Sequence, residues 1–395
     1  MSWGSEKLGV ISPAKPLKKP VIVDESNIWQ LNLDMVESQT GNVLKKLKGS
    51  LTSAGSSTHW FSDKHVLYSK LRPYLNKVVL PDEQGLATTE LVPLLPDAKR
   101  VDRSYLVHYL RSNKFVGWVN QQVAGAKMPR VSMKDFWDHE IPLPYVDEPE
   151  KSLIEQKRIA AILDKADSIR RKRQDAIELA DKFLRDTFLT LFGDPVTNPK
   201  GWEVKALKAI TTKIGSGSTP RGGKSAYQEE GISLVRSLNI HDDKFLFKNL
   251  AFINDDQANK LSNAVLEQND VLLNITGASV CRTAIVDNSV LPARVNQHVC
   301  IIRSNDVCSQ YLLHLLISGP YKRLLLKIAG AGGATREALT KEQVEKLMIP
   351  IPPADLQQKF AQIKSSIQKI KEKYTEQVSE PLFESLSQKA FKGEL

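Results

Sequence analysis

Between Leu153 and Leu191 the chain carries neither proline nor glycine, and this restricts the available folds more than any other feature. Small or apolar residues recur there at Ile159, Ile162, Ala166, Ile169, Ala176, Ala180, Phe183 and Thr187, with Arg173 interrupting the series. Steps of three and four are the spacing of one helical face laid against a partner helix. The stretch predicts a helix of about 35 residues, roughly 50 Å long, which exceeds the interior of a compact domain. The pattern returns near the C-terminus at Leu356, Phe360, Ile363, Ile367, Ile370, Tyr374, Val378, Leu382 and Leu386. Two long helices separated by a domain-sized insert predict an antiparallel pair holding two globular bodies apart.

The halves of the chain repeat. Ile141-Pro142-Leu143-Pro144 is answered by Ile349-Pro350-Ile351-Pro352, and SYLVHYLRS (Ser104 to Ser112) by QYLLHLLIS (Gln310 to Ser318). Val66-Leu67 is answered by Val271-Leu272, Ala124-Gly125-Ala126 by Ala329-Gly330-Ala331, and Gln156 and Ala160 by Gln357 and Ala361, all at roughly 200–208 residues. Such a colinear series implies two copies of one body-plus-helix unit. The fold class is α+β: two bodies of mixed β-strands and helices, joined by two long antiparallel helices with an internal pseudo-two-fold repeat. Short β-like runs (HVLYSKL, ELVPLL) and one helical stretch, SYLVHYLRSNKFVGWVNQQ, build the first body. The expected boundaries are residues 1–148 for that body, 149–193 for the central helix, 194–353 for the second body and 354–395 for the last helix.

At 395 residues two or three domains are expected. No apolar run approaches about 18 residues, and the start lacks a signal-peptide hydrophobic segment. Three cysteines without paired metal spacing argue against a disulfide framework, making the cytoplasm the default compartment. A net charge of +10 favours an anionic partner.

Catalytic motifs are poorly represented. GSGSTPRGGKS (Gly215 to Ser225) has Ser218 where a phosphate-binding loop needs its first glycine, and it leads into SAYQEEGISLV without a clear helix. Asp82 and Asp97, each beside a proline, only weakly resemble a nuclease metal site. His108 and His314 recur at equivalent places on apolar helical faces, as core histidines do. The competing readings are therefore a stand-alone nuclease at Asp82 and Asp97, an NTPase at Lys224, and a pure protein–protein scaffold.

The polar loops are richer. Lys70, Arg72, Tyr74, Asn76 and Lys77 crowd a turn after a strand, where Arg and Lys can reach guanine or phosphate and Asn can pair with adenine. Asn274, Thr276 and Arg282 occupy the equivalent place in the second half, with small residues that let the backbone approach a phosphate. Arg221, Lys224, Arg236 and Asn239 add donors. Lys127 and Arg130 follow the first Ala-Gly-Ala and Arg336 follows the second. The cluster Arg170-Arg171-Lys172-Arg173 fits a solvated helix face or a DNA backbone equally well.

Several segments together make the chain resemble the specificity subunits of type I restriction–modification systems: HVLYSKLRPYLNKV, DVLLNITGASVCRTAIV, VNQHVCIIRS, GSGSTPRGGKSAYQEEGISLVRSLNI, IPLP with EQKRIAAILD, and LFGDP. They span nearly the whole chain. Within VNQHVCIIRS, Asn296 and Gln297 join the candidate DNA contacts. The resemblance implies that each body is a target recognition domain reading one half of a split, asymmetric sequence in double-stranded DNA. It implies that the paired helices set the half-site separation and dock two methyltransferase subunits, and that restriction subunits complete the complex. S-adenosylmethionine, ATP and Mg2+ would serve those partners, leaving this chain without catalytic residues, metal or cofactor of its own. One departure is Cys281, at a glycine-type position of the family motif, just before Arg282.

Overall fold

The computed structural model describes residues 2–125, 127–220, 222–331, 337–379 and 382–395, with the side chains of Lys224 and residues 376–379 excepted. They fall into two compact units, Met1–Gln174 with Thr375–Leu395 and Asp175–Tyr374. The long helix runs Pro149–Phe192, 44 residues, and contributes to both. Proline fits its first turn, where the missing N–H has no helical partner to lose.

In the first unit, strand Trp3–Lys7 pairs antiparallel with Glu140–Pro144. A four-stranded sheet has the order Leu47–Gly49, Ile28–Leu31, Gly85–Thr88, Thr58–Phe61, its middle pair parallel. A three-stranded sheet places Val66–Ser69 between Val78–Val79 and Leu91–Leu94. Every residue of Val66–Ser69 is buried. Val66 and Tyr68 enter a core with Tyr105, Phe115 and the long helix's Ile159 and Leu163, whereas Leu67 enters a second core with Trp29 and Phe61. Alternation along a strand sends neighbours to opposite faces, so this strand is the wall between two cores.

The second unit uses the same parts. Glu203–Ala206 pairs with Met348–Ile351. A four-stranded sheet has the order Thr211–Ser216, Val299–Ser304, Val271–Asn274, Thr283–Ile285, and here it is the three-stranded sheet that contains a parallel pair, Ile232–Val235 with Ala293–Val295. Val271 and Leu273 face a core with Tyr311 and Phe360, while Leu272 faces another with Leu234 and Ile301.

Two expectations change in detail. The stretch predicted as one helix is two, Arg103–Arg111 and Asn113–Val119. Ser112 between them is extended and its hydroxyl caps the second helix by accepting from Phe115 N–H. The buried face of the long helix near its end is Leu184, Phe188 and Phe192 rather than Phe183 and Thr187. Phe188 and Phe192 pack on Tyr311 and Phe360, and that aromatic cluster fixes the helix's rotation while Phe183 stays exposed. The last helical region is described as Ala354–Ser379 and Leu382–Ala390, and its continuity across Glu380 and Pro381 lies outside the described residues.

Each unit fastens a long helix with a buried glutamine, Gln156 on Pro149–Phe192 and Gln357 on Ala354–Ser379. Gln156 Oε1 accepts from Asp102 N–H at 2.9 Å and its amide nitrogen donates to Arg100 O at 3.0 Å. Gln357 Oε1 accepts from Cys308 N–H at 2.8 Å and its nitrogen donates to Pro352 O at 2.8 Å. Asp102 and Cys308 are the N-caps of equivalent helices, so the repeated glutamine satisfies the same helix start twice. Replacing Gln357 by Leu keeps the volume but leaves a buried N–H and carbonyl unpaired, at about 1–3 kcal/mol each. We expect Gln357→Leu to lower the urea midpoint markedly and Gln358→Ala, on the exposed side, to leave it within about 0.5 kcal/mol.

Candidate nucleic-acid interface

In each unit the wall strand feeds a turn with an unusual backbone. After Val66–Ser69, Arg72 (φ 49°) and Asn76 (φ 50°) are left-handed and enclose the short turn Pro73–Leu75. After Val271–Asn274, Gly277 (φ 76°) and Cys281 (φ 66°) do the same, each 205 residues further on. Cys281 is thus a residue with a side chain in a glycine-type conformation, held by burial of that side chain in the core.

Two neighbouring segments clamp this turn through backbone hydrogen bonds. The segment after Ala-Gly-Ala docks on one side: Arg72 N–H donates to Pro129 O at 2.8 Å and Val131 N–H to Lys70 O at 3.0 Å. In the second unit Gly277 N–H donates to Glu337 O at 3.0 Å and Leu339 N–H to Ile275 O at 2.8 Å. On the other side stands the residue preceding the next sheet strand. Lys70 N–H donates to Glu90 O at 3.0 Å, and Ile275 N–H to His298 O at 3.0 Å. One frame therefore recurs with different side chains.

In the first unit the frame exposes Arg72, Tyr74, Lys127 and Met128, with Lys70 half-buried. Arg130 is exposed and its Nε and Nη2 donate to the Glu90 carboxylate at 2.9–3.2 Å. In the second unit a polar chain crosses the frame. Thr219 hydroxyl donates to Gln297 Oε1, Gln297 Nε2 lies 3.1 Å from His298 Nε2, and His298 Nδ1 lies 2.5 Å from Thr276 Oγ1. Gln297 is exposed, and Thr219, Thr276 and His298 are half-buried.

Other candidates have partners within the protein. Asn76 is buried and its amide donates to Arg111 O. Lys77 Nζ donates to Leu33 O at 2.6 Å, and burial pulls its pKa below the ordinary lysine value. Asn239 is fully buried, accepting from Arg236 N–H and donating to Leu246 O. Asn274, also fully buried, donates to Ser237 O and Ser279 Oγ. Asn296 is buried and accepts from His298 N–H. These asparagines shape loops from inside, each with partners within the protein. Arg236 donates to Asn249 O and lies over the Tyr227 ring, and Arg282 is half-buried with Nη1 3.3 Å from His241 Nε2. Arg221 and Arg336 lie outside the described residues, as does the side chain of Lys224.

Glu90 and His298 escaped the sequence reading. Their only signal was position, directly before an apolar strand. The other motifs resolve simply. Asp82 is bonded by Lys46, and among the described residues no group of three or more His, Cys, Asp or Glu side chains could hold a metal ion. Arg170 and Arg171 are both paired with Asp167. His108 Nε2 lies 2.7 Å from an Asp164 oxygen, and burial drives the His314 pKa down to about 4. Among the described residues no helix is long and apolar enough to cross a membrane.

Comparison with known proteins gives a consistent result. The family described as type I restriction modification DNA specificity domain matches residues 51–179 and 199–380. The chain is 26% identical over 317 residues to the type I restriction enzyme MjaVIII specificity subunit of Methanocaldococcus jannaschii, covering 75% of this chain and 71% of that protein. It is 25% identical over 229 residues to the EcoDI specificity subunit of Escherichia coli, a match spanning 55% of this chain and about half (49%) of that relative. Among solved structures, the S subunit of a type I restriction-modification system from M. genitalium superposes with a TM-score of 0.60 at 14% identity, over 100% of this chain and 96% of that one. A chain from work on complex assembly and conformational transition of the type I R-M system gives 0.59 at 19% identity, over 100% and 98%. These two likenesses establish the fold.

A left-handed residue with a Cβ carries about 1–2 kcal/mol of strain, partly offset for glycine by greater unfolded-chain freedom. Arg72→Gly should therefore leave stability within about 1 kcal/mol of the parent, whereas the β-branched Arg72→Val should cost about 1–3 kcal/mol. Urea unfolding of both variants checks this, and equal costs would refute the strained frame.

Proposed function

This chain belongs to the type I restriction modification DNA specificity domain family, and we propose that each of its two units reads one half of a two-part double-stranded DNA target. It is a non-catalytic recognition subunit, as the specificity subunits it resembles are. The observation that carries the reading is the recurrence of one clamped turn bearing different side chains. A common frame supplies the same approach to a duplex, and the differing side chains supply different sequences.

In this reading Arg72 and Lys127 hold phosphates in the first half-site, with Lys70 at the margin, while Tyr74 and Arg130 face the groove. In the second, Thr276 and Gln297 face base edges and Arg282 lies toward the backbone. Arg221, Lys224 and Arg336 remain proposed phosphate contacts on the strength of their sequence setting. The chain acts within a complex: two modification subunits dock on its helical regions and use S-adenosylmethionine, and restriction subunits join them and use ATP and Mg2+. The proposed domain limits are residues 1–148 and 194–353 for the two recognition bodies and 149–193 and 354–395 for the helices, and both family matches overlap a body and the helix that follows it.

The test is binding of the complex with its modification subunits to duplex libraries across a salt series. Each phosphate contact contributes about one unit to the slope of log affinity against log salt. Arg72→Ala and Lys127→Ala should each lower the slope by about that amount and weaken binding for every sequence alike. Thr276→Val should instead change the preferred bases of the second half-site. Unchanged affinity and slope in both Arg72→Ala and Lys127→Ala would reject the assignment of this face to DNA.

A further inference from the structure

The position just before the strand that pairs with the wall strand has the same backbone role in both units and opposite chemistry. Glu90 precedes Leu91, which pairs with Ser69, and His298 precedes Val299, which pairs with Asn274. Each carbonyl receives the N–H of the residue entering the turn, and each side chain reaches across to a candidate DNA contact.

In the first unit the Glu90 carboxylate takes the Nε and Nη2 edge of Arg130 at 2.9–3.2 Å. A planar guanidinium gripped on one edge has its remaining N–H groups aimed in one direction. The pair adds little to folding, because Arg130 is 45% exposed and such ion pairs are screened. Its order is better explained by what Arg130 does next. A fork held in place matches the O6 and N7 acceptors of guanine.

In the second unit the hydrogen-bond directions follow from Thr219. Its hydroxyl donates to Gln297 Oε1, so the Gln297 amide nitrogen is the group that faces His298 Nε2 and donates to it. An accepting Nε2 leaves the ring hydrogen on Nδ1, which donates to Thr276 Oγ1 at 2.5 Å. Thr276 then has its own hydroxyl hydrogen turned away from the ring. The chain sets Thr276 as an outward donor and fixes the Gln297 amide with one N–H and one lone pair free.

We propose that Glu90 and His298 are positioning residues that set the base preference of their units, Glu90 by aiming the Arg130 fork and His298 by fixing the donor pattern of Thr276 and Gln297. This rests on the reading of the two units as DNA readers. Neither residue touches DNA in this assignment, and each acts through its neighbour.

The experiment uses the full chain in complex with its modification subunits. Bound duplexes are recovered from a pool randomised across both half-sites and sequenced. Glu90→Ala should reduce discrimination about 10-fold at one position of the first half-site and leave the second unchanged. It should add nothing in a background of Arg130→Ala, while Glu90→Gln, which keeps the shape and one acceptor, falls between. His298→Ala should mirror this in the second half-site alone. Uniform loss of affinity with an unaltered base spectrum, or changes in both half-sites from one substitution, would overturn the proposal. If the unaltered complex selects no two-part sequence, the recognition reading itself fails, and with it this assignment.

Discussion

A loop proposed to discriminate between bases has to be stiff, and here stiffness comes from a strand with no solvent face. Val66 and Tyr68 lie in one core and Leu67 in another, and Val271 and Leu273 are divided from Leu272 in the same way. A one-residue slip would push every side chain of the strand into the wrong core, so the register is fixed from both sides. The turn that follows inherits that fixity. Its own hydrogen bonds need only set its last few ångströms, through Pro129 and Glu90 in one unit and Glu337 and His298 in the other.

The same economy operates where each body meets the helix that follows it. The repeated Ile-Pro-x-Pro strand looks ill-suited to a sheet, since proline cannot donate. In both units it belongs to a two-stranded ribbon, where a missing donor is tolerated. Its prolines still accept: Tyr105 hydroxyl donates to Pro142 O and Tyr311 hydroxyl to Pro350 O, each at 2.7 Å. Together with Gln156 and Gln357, these bonds satisfy buried polar groups that would otherwise destabilise the junction of body and helix. The short motifs that make the repeat visible are thus the places where buried polar atoms demand a particular partner.

That explains which parts of the molecule were legible in the sequence. The long helix, the repeat, the apolar strands and the turns after them follow from spacing and from proline and glycine, which act locally. The rotation of the helix at Leu184 and Phe188 was not legible, because Phe183 is equally apolar and only the Tyr311 and Phe360 rings decide between them. The internal bonds of the asparagines were hidden for a related reason. Asn239 and Asn274 carry the same letter as a base-reading asparagine, and only the carbonyls of Leu246 and Ser237 beside them reveal an interior role. Glu90 and His298 sit beside strands without any motif, and their meaning depends on Arg130 and Thr276, distant in sequence.

The left-handed positions show how the two units diverged without losing the frame. Arg72 and Asn76 occupy them in one unit and Gly277 and Cys281 in the other. Only glycine adopts this backbone without strain, so local preference alone would give different turns. The turns nevertheless match, because the clamping hydrogen bonds and the wall strand are the same in both. A backbone imposed from outside tolerates an arginine where its counterpart has glycine. The first unit thereby gains an exposed cation at a point where the second offers bare backbone. Divergence of this kind changes what a surface contacts while keeping where it contacts it, which is the requirement for two readers built on one scaffold.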